Sequence, residues 1–322
     1  MLPVVLRRLC IVLVVCCSPS LVAAADPVEN TPLPKEKATQ PGAPASSALI
    51  ATPASGRERL IQEIVRVPAK GTEHGLLVRL CRSPSVKAKA LVVINHGTTN
   101  DVKRRRETRA TACGDLARFF TERGYTVAFP LRRGYGETAG ALTEVGFAGC
   151  QSSGNLARGG SEIAKDIRTA ITYLTERDDI RGGNTLLVGH SGGGWGVLAF
   201  VSNAPKDVAG IINISGAYGS RKGLPNTYCS DMHVAAAASF GKAATAPSLW
   251  VYVENDSYVG LRVARQMHAA FARGGSKSDL VVLPKFEAEG HYVFQDRAVE
   301  IWGPVVDQWL NALTPAGVAG RP

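Results

Sequence analysis

Three residues far apart in the sequence have the types that acyl transfer needs. Ser191 lies in Gly189-His190-Ser191-Gly192-Gly193, Asp256 in Glu254-Asn255-Asp256 and His291 in Glu289-Gly290-His291. A serine hydroxyl is a weak nucleophile until a base takes its proton, and an imidazole does so when a carboxylate holds its tautomer and stabilises the imidazolium. Asp256 is preferred to Glu254 for that carboxylate, because the apolar run SLWVYV ends at Val253 and leaves only Asp256 well into the following loop. The glycines around Ser191 have a separate use. In G-x-S-x-G a sharp strand-to-helix turn lifts the hydroxyl above a sheet, and the positions two before and two after pack too closely to carry side chains. The backbone N–H of Gly192, opening the helix, then faces a developing oxyanion.

Stepping from these residues to the elements that must hold them, the chain alternates strands and helices from Leu60 onward. LIQEIVRVPA and LLVRLCRS read as antiparallel strands around a loop, and ALVVINHG as a strand buried on both faces. A helix is predicted over Thr108–Arg123, then the strand TVAFPLRRG, a helix over Ile163–Arg177 and the strand TLLVGHS. A helix over Gly194–Ser202, the strands AGIINISG and SLWVYVEND, a helix over Leu261–Arg273, the strand LVVLPKF and a helix over Val299–Leu313 complete the series. Such alternation predicts an α/β fold with a mostly parallel sheet covered by helices on both faces. Gly219–Ala246 fits neither period and reads as a small excursion over the carboxyl edge, where ligands bind in such sheets.

The chain of 322 residues, 45% of them hydrophobic, is long enough for one large core. Arg7 and Arg8 precede the apolar run Leu9–Cys17 and the small residues Ala23, Ala24 and Ala25, the layout of a secretory signal peptide over residues 1–25. Residues 26–56, rich in Pro, Ala, Thr and Ser, are expected to form a disordered linker. The folded domain is expected over 57–316 and a flexible tail over 317–322. This organisation implies a secreted or periplasmic protein with no stable membrane insertion after cleavage.

The net charge of +10 falls to +8 without Arg7 and Arg8. Aromatics make up 7% of the chain and do not interleave with basic residues, so a nucleic-acid partner is not expected. No histidine pair has metal-ligand spacing with a third partner, and neither a metal nor another cofactor is expected. His96 is expected to order the loop after its strand and His190 to pack beneath Ser191. His233 is a candidate for lining the pocket, and His268 reads as structural.

Taken together, NHG at 95–97, FPLRRGYGET at 129–138, GHSGGGW at 189–195, LWVYVENDSYVG at 249–260 and EGH at 289–291 resemble the α/β-hydrolase superfamily. The likeness runs over about Leu60–Leu313 and is strongest to the dienelactone hydrolase-related and prolyl oligopeptidase-related serine esterases. The order serine, aspartate, histidine is also that of this group. The resemblance implies a second oxyanion donor just past the HG pair, assigned to the backbone N–H of Thr98. It implies a carboxylesterase-like serine hydrolase acting on a small-molecule ester, with an exopeptidase or amidase as the alternative within the fold. A non-catalytic envelope binding protein on the same scaffold is the alternative of another class. Dienelactone hydrolases are expected to carry a cysteine nucleophile, and Ser191 departs from that pattern.

Export would place Cys81, Cys113, Cys150 and Cys229 in an oxidising compartment. Cys150 and Cys229 both fall on connections above the carboxyl edge, and related hydrolases resemble this chain in carrying cysteines there. Their pairing is expected, with Cys81 and Cys113 left as a second pair. A basic run, Lys103-Arg104-Arg105-Arg106 with Arg109, follows the Thr98 loop, and Arg132 and Arg133 follow another strand on the same rim. Arg132 and Arg133 are therefore candidates for contacting an anionic group on the substrate.

Overall fold

Runs of β-branched and other apolar residues between helical segments place eight strands in one sheet among the described residues. The structure is a computed structural model and describes residues 57–88, 90–144, 152–180, 183–203, 205–219 and 229–313, all within one unit, Ala54–Pro322. The expected signal peptide and linker, the tail 317–322 and Cys150 lie outside the described residues.

Strands β1 (Ile61–Val67), β2 (Leu76–Arg82), β3 (Ala90–Asn95), β4 (Tyr125–Leu131), β5 (Thr185–His190), β6 (Val208–Ile214), β7 (Ser248–Val253) and β8 (Ser278–Leu283) are ordered β1-β2-β4-β3-β5-β6-β7-β8. The β1/β2 and β2/β4 pairs are antiparallel and every other pair is parallel. The chain runs from β3 to β4 on one side and returns to β5 on the other. A crevice therefore opens at the carboxyl ends of β3 and β5, where Asn95 pairs with Gly189. Two apolar layers cover the sheet. One packs helices α3 (Ser153–Thr175), α4 (Gly192–Val201), α5 (Ser230–Gly241) and α6 (Leu261–Ala272) on one face, and the other packs α2 (Asp115–Thr121) and α7 (Val299–Leu313) on the opposite face.

Of the helix expected over Thr108–Arg123 only Asp115–Thr121 is helical, and a further short helix precedes that range. The short α1 (Val102–Glu107) ends at Thr108, and α2 starts only after Gly114. Cys113 lies in the loop between them, joined to Cys81 of β2 by a disulfide with Cα atoms 5.6 Å apart. Asp296 Oδ1 accepts from Leu116 N at 2.8 Å, which satisfies a first-turn donor and fixes where α2 begins. Helix α3 is longer than its apolar period indicates, because Gly159 faces a neighbour rather than carrying an apolar side chain. A Cβ there would come within 2.6 Å of the Tyr218 ring.

The excursion contains α5, whose buried positions His233, Ala236, Ala237, Phe240 and Gly241 follow helical spacing. Small side chains give that face little apolar contrast, which is why the sequence conceals it. Cys229 immediately before α5 is disulfide-bonded. Among the described residues no helix is long and apolar enough to cross a membrane.

Candidate active site

Ser191 occupies the turn between β5 and α4 with φ 54° and ψ −122°, a conformation disfavoured for a residue with a Cβ. Strain of this kind costs about 1–3 kcal/mol and persists only where the surroundings over-determine it. Here the Ser191 N–H donates to Ile214 O at 3.0 Å, and Trp195 N donates to Ser191 O at 3.0 Å. Close packing explains the neighbouring glycines. A Cβ at Gly189 would lie 2.2 Å from Gly193 O, and one at Gly193 would lie 2.3 Å from Asn95 O.

The elements that carry the acid and the base are adjacent strands. β7 and β8 pair through Val253 and Leu283, so the loops that follow them emerge side by side. His291 Nε2 stands 3.0 Å from Ser191 Oγ, and its Nδ1 lies 3.1 and 3.0 Å from the two oxygens of Asp256. Asp256 and His291 are buried. Asp256 Oδ1 also accepts from the N–H groups of Tyr258 at 2.8 Å and Val259 at 2.9 Å, which fixes the carboxylate. Glu254, two residues earlier, is exposed. The arrangement can pass the serine proton to an imidazole whose far nitrogen is already held by a carboxylate.

Two residues that sequence reasoning missed hold His291 in place. Glu289 accepts from the backbone N–H of His291 at 3.0 Å and of Ser257 at 3.0 Å, and also from the Ser257 hydroxyl. It thereby ties the acid loop to the base loop. The Tyr258 ring stacks on the imidazole at 4.3 Å, and its hydroxyl meets that of Tyr292 at 2.8 Å. Glu289 stands in the EGH motif, two residues before the histidine, which is the one sequence signal that could have found it.

The loop after β3 comes against the serine. A Cβ on Gly97 would lie 3.3 Å from Ser191 Cβ, and one on Gly192 would lie 3.1 Å from Thr98 N. The Thr98 backbone thus lies against Gly192, the residue after the serine, and among the described residues no hydrogen bond is made by the Thr98 N–H or the Gly192 N–H.

Arg132 and Arg133 do not face a substrate. Arg132 is fully buried beneath the loop. It donates to Glu144 through Nε at 2.7 Å and Nη2 at 3.1 Å, and to the carbonyls of His96 at 2.6 Å and Gly97 at 3.2 Å. Glu144 in turn accepts from Tyr135 Oη at 2.6 Å and Thr98 Oγ1 at 2.9 Å. Burial opposes the charge on Arg132, but Glu144 outweighs it and holds the guanidinium pKa above its usual range. Burial would likewise raise the Glu144 pKa, yet Arg132 keeps it below the ordinary value. Arg133 is spent on Asp166, with Nε to Oδ1 at 2.8 Å, and on the Lys70 carbonyl at 2.9 Å. An arginine following a strand looks the same in sequence whether it points out to solvent or turns under a loop. The missing signal was Glu144, twelve residues on in an unpatterned stretch.

Burial favours the neutral form of His96 and His190. His96 Nδ1–H donates to Gly97 O at 2.7 Å while Nε2 accepts from Arg132 N–H at 3.2 Å. Burial, with the Arg132 charge second, lowers its pKa to about 3. His190 lies below the serine and donates from Nε2 to His291 O at 2.6 Å. Burial, with the His291 charge second, lowers its pKa to about 4. His233, expected as a candidate for lining the pocket, is buried with its nitrogens directed at the Cys229 and Tyr218 carbonyls at 2.9 and 2.7 Å. Among the described residues no group of three His, Cys, Asp or Glu could hold a metal.

These lowered values set an acid limit on stability. The unfolded chain protonates both imidazoles near pH 6.5 while the folded chain keeps them neutral to about 4 and 3. Stability present above pH 6.5 is therefore lost as the pH falls through that window. At 1.36 kcal/mol per pKa unit the losses approach about 3 kcal/mol for His190 and about 5 kcal/mol for His96. Glu144 and Glu289, held below their ordinary values, lose stability in the same direction. The melting temperature is expected to fall steeply between pH 7 and pH 4, and equal values at the two pH settings would contradict this.

Residues 86–272 match the family described as serine aminopeptidase, S33. The chain belongs to this family, within the α/β-hydrolase superfamily. The superfamily likeness and the sheet with helices on both faces agree with the expectation from sequence. An esterase from Pyrococcus furiosus has a similar fold, with a TM-score of 0.53 and 14% identity over 79% of this chain and 91% of its own. A protein from Klebsiella pneumoniae assigned as a dienelactone hydrolase gives 0.50 and 16% over 80% of this chain and 98% of its own. An acylaminoacyl peptidase gives 0.53 and 14% over 78% of this chain but 41% of its own. No curated protein sequence matches this chain. As a member of the serine aminopeptidase family, the protein is a hydrolase.

Proposed function

We propose that this α/β-hydrolase is an exported serine hydrolase that cleaves a carboxylic ester through an acyl-enzyme. The observation that carries the reading is the hydrogen-bonded line from Ser191 Oγ through His291 to Asp256. Ser191 Oγ attacks the ester carbonyl as His291 Nε2 takes its proton, and the carbonyl oxygen gains the charge that Thr98 N–H and Gly192 N–H stabilise. The C–O bond to the alcohol then breaks, with His291 returning the proton to the departing oxygen. Water repeats the sequence on the acyl-enzyme, releasing the acid and restoring Ser191. Asp256 orients the imidazole and stabilises its charged form throughout.

The family description and the acylaminoacyl peptidase neighbour favour a second reading, cleavage of an amide. An aminopeptidase needs an anion to receive the substrate's amine. Glu289, the carboxylate beside the imidazole, is already taken up by Ser257 and His291. A fluorophosphonate probe tests the shared chemistry, with a label at Ser191 expected and an unlabelled native protein overturning it in favour of a non-catalytic scaffold. Chromogenic esters against aminoacyl amides then decide the bond. The basic leader before a short apolar run supports export, and recovery of the native protein only from the cytoplasm would refute that part.

A further inference from the structure

Helix α1 has six residues, none buried, and four of them in succession are the cations Lys103, Arg104, Arg105 and Arg106. A helix this short is not stable by itself, and neighbouring like charges weaken it further. It is held by its ends. The Asp101 side chain accepts from Arg104 N at 3.1 Å, and the Thr108 hydroxyl donates to Arg104 O at 2.8 Å. It contributes nothing to the core, so its charge needs another explanation than packing.

Its position supplies one. The helix begins four residues after Thr98, and Arg105 folds back to donate to the carbonyls of Thr99 at 3.3 Å and Asn100 at 2.9 Å, which anchors α1 to that loop. The Thr98 backbone in turn lies against Gly192, the residue after Ser191, where an added Cβ would come within 3.1 Å of Thr98 N. The cationic helix is thus tied to the loop that packs on the Ser191 turn, and the Arg104 charge also acts on Tyr258, the ring stacked on His291. The Arg104 side chain is 75% exposed and has only a loose contact with Asp101, at 3.7 Å. Lys103 and Arg106 are exposed, and among the described residues neither forms an ion pair. Glu144 is sealed under the loop with Arg132, and Glu289 is bound to Ser257 and His291, so neither is free to neutralise this charge.

We propose that the ester this enzyme cleaves carries an anionic group, a carboxylate or phosphate, received at the mouth by Arg104 with Lys103 beside it. The inference rests on the serine hydrolase reading and narrows its substrate class. It moves the anion from Arg132 and Arg133, whose donors are consumed internally, to α1, a cationic element beside the Thr98 loop whose Lys103 and Arg104 side chains are exposed. Exposed charges act partly by steering, so the effect is greatest at low ionic strength.

The test compares esters that differ by one anion: 4-nitrophenyl butyrate with mono-4-nitrophenyl succinate, and phenyl acetate with 4-acetoxybenzoate and 4-acetoxyphenyl phosphate. Comparing each variant with the parent cancels the esters' intrinsic reactivities. In Lys103→Gln/Arg104→Gln, kcat/KM for at least one anionic ester is expected to fall about tenfold more than for its neutral counterpart. That excess should shrink at high salt and grow in Arg104→Glu. Lys165→Gln/Arg168→Gln, an equal loss of two charges on α3, should produce no excess. The carboxylate and phosphate arms distinguish the two anion types. An equal fall in every pair, with Ser191 still labelled by the probe, overturns this inference alone. No hydrolysis of any ester together with an unlabelled Ser191 overturns the serine hydrolase reading and this inference with it.

Discussion

Ser191→Ala is expected to leave a folded protein whose turnover is lower by about 10⁴ to 10⁶, the loss seen when a serine nucleophile is removed from such a group. The substitution deletes one oxygen, whose hydrogen bond is to His291 Nε2, and no volume on which the packing around Gly189, Gly192 and Gly193 depends. The backbone bonds that hold the turn, from Ser191 N to Ile214 O and from Trp195 N to Ser191 O, are untouched. Stability should therefore change little while the chemistry disappears. Residual activity should come from the oxyanion donors and binding alone. Turnover within tenfold of the parent, measured on the best ester with the melting temperature as a folding control, would remove Ser191 from the mechanism.

Asp256→Asn should cost about 10⁴ in turnover, and Glu254→Gln less than a factor of two. The buried Asp256 carboxylate accepts from His291 and from the Tyr258 and Val259 N–H groups. An asparagine can keep its oxygen toward those backbone donors only by presenting an NH₂ group to Nδ1. That selects the imidazole tautomer with the proton on Nε2, which cannot accept the serine proton. Glu254 is exposed, and its side chain makes no hydrogen bond or ion pair with any of these groups. If Glu254→Gln abolished turnover while Asp256→Asn spared it, the acid would have been misassigned.

Much of this arrangement could be read from the chain. Ser191 was legible because a strained strand-to-helix turn requires glycines at fixed offsets, a local steric demand that leaves a local mark. Asp256 and His291 were legible because each follows an apolar run that must be a strand. Position in a loop after a strand already brings a residue to the carboxyl edge. Helices with large apolar side chains on one face, such as α6 and α7, were equally plain.

Legibility failed where small residues do the packing. In α3 and α5, Gly159, Ala236 and Ala237 lie against neighbours at helical spacing, but their side chains give no contrast to detect. The break between α1 and α2 was hidden for another reason. Its position depends on the bond from Cys113 to Cys81 and on Asp296, 180 residues beyond Leu116.

The sequence by itself determined the strand and helix alternation, the Ser191 turn and the chain order of the serine, the acid and the base, because each depends on neighbours a few positions away. Only the tertiary structure decided which arginine is a tool of the fold and which is open to a ligand. Arg132 and Arg104 are alike as residues, and each lies close in sequence to the Thr98 loop or to a strand end. One is sealed under the loop against Glu144 and the other stands exposed on α1. Charge is a property of the residue, whereas its availability depends on which carboxylate the folded chain brings beside it. That pairing, like the clamp of Glu289 on Ser257 and His291, exists only once distant loops have met above the sheet.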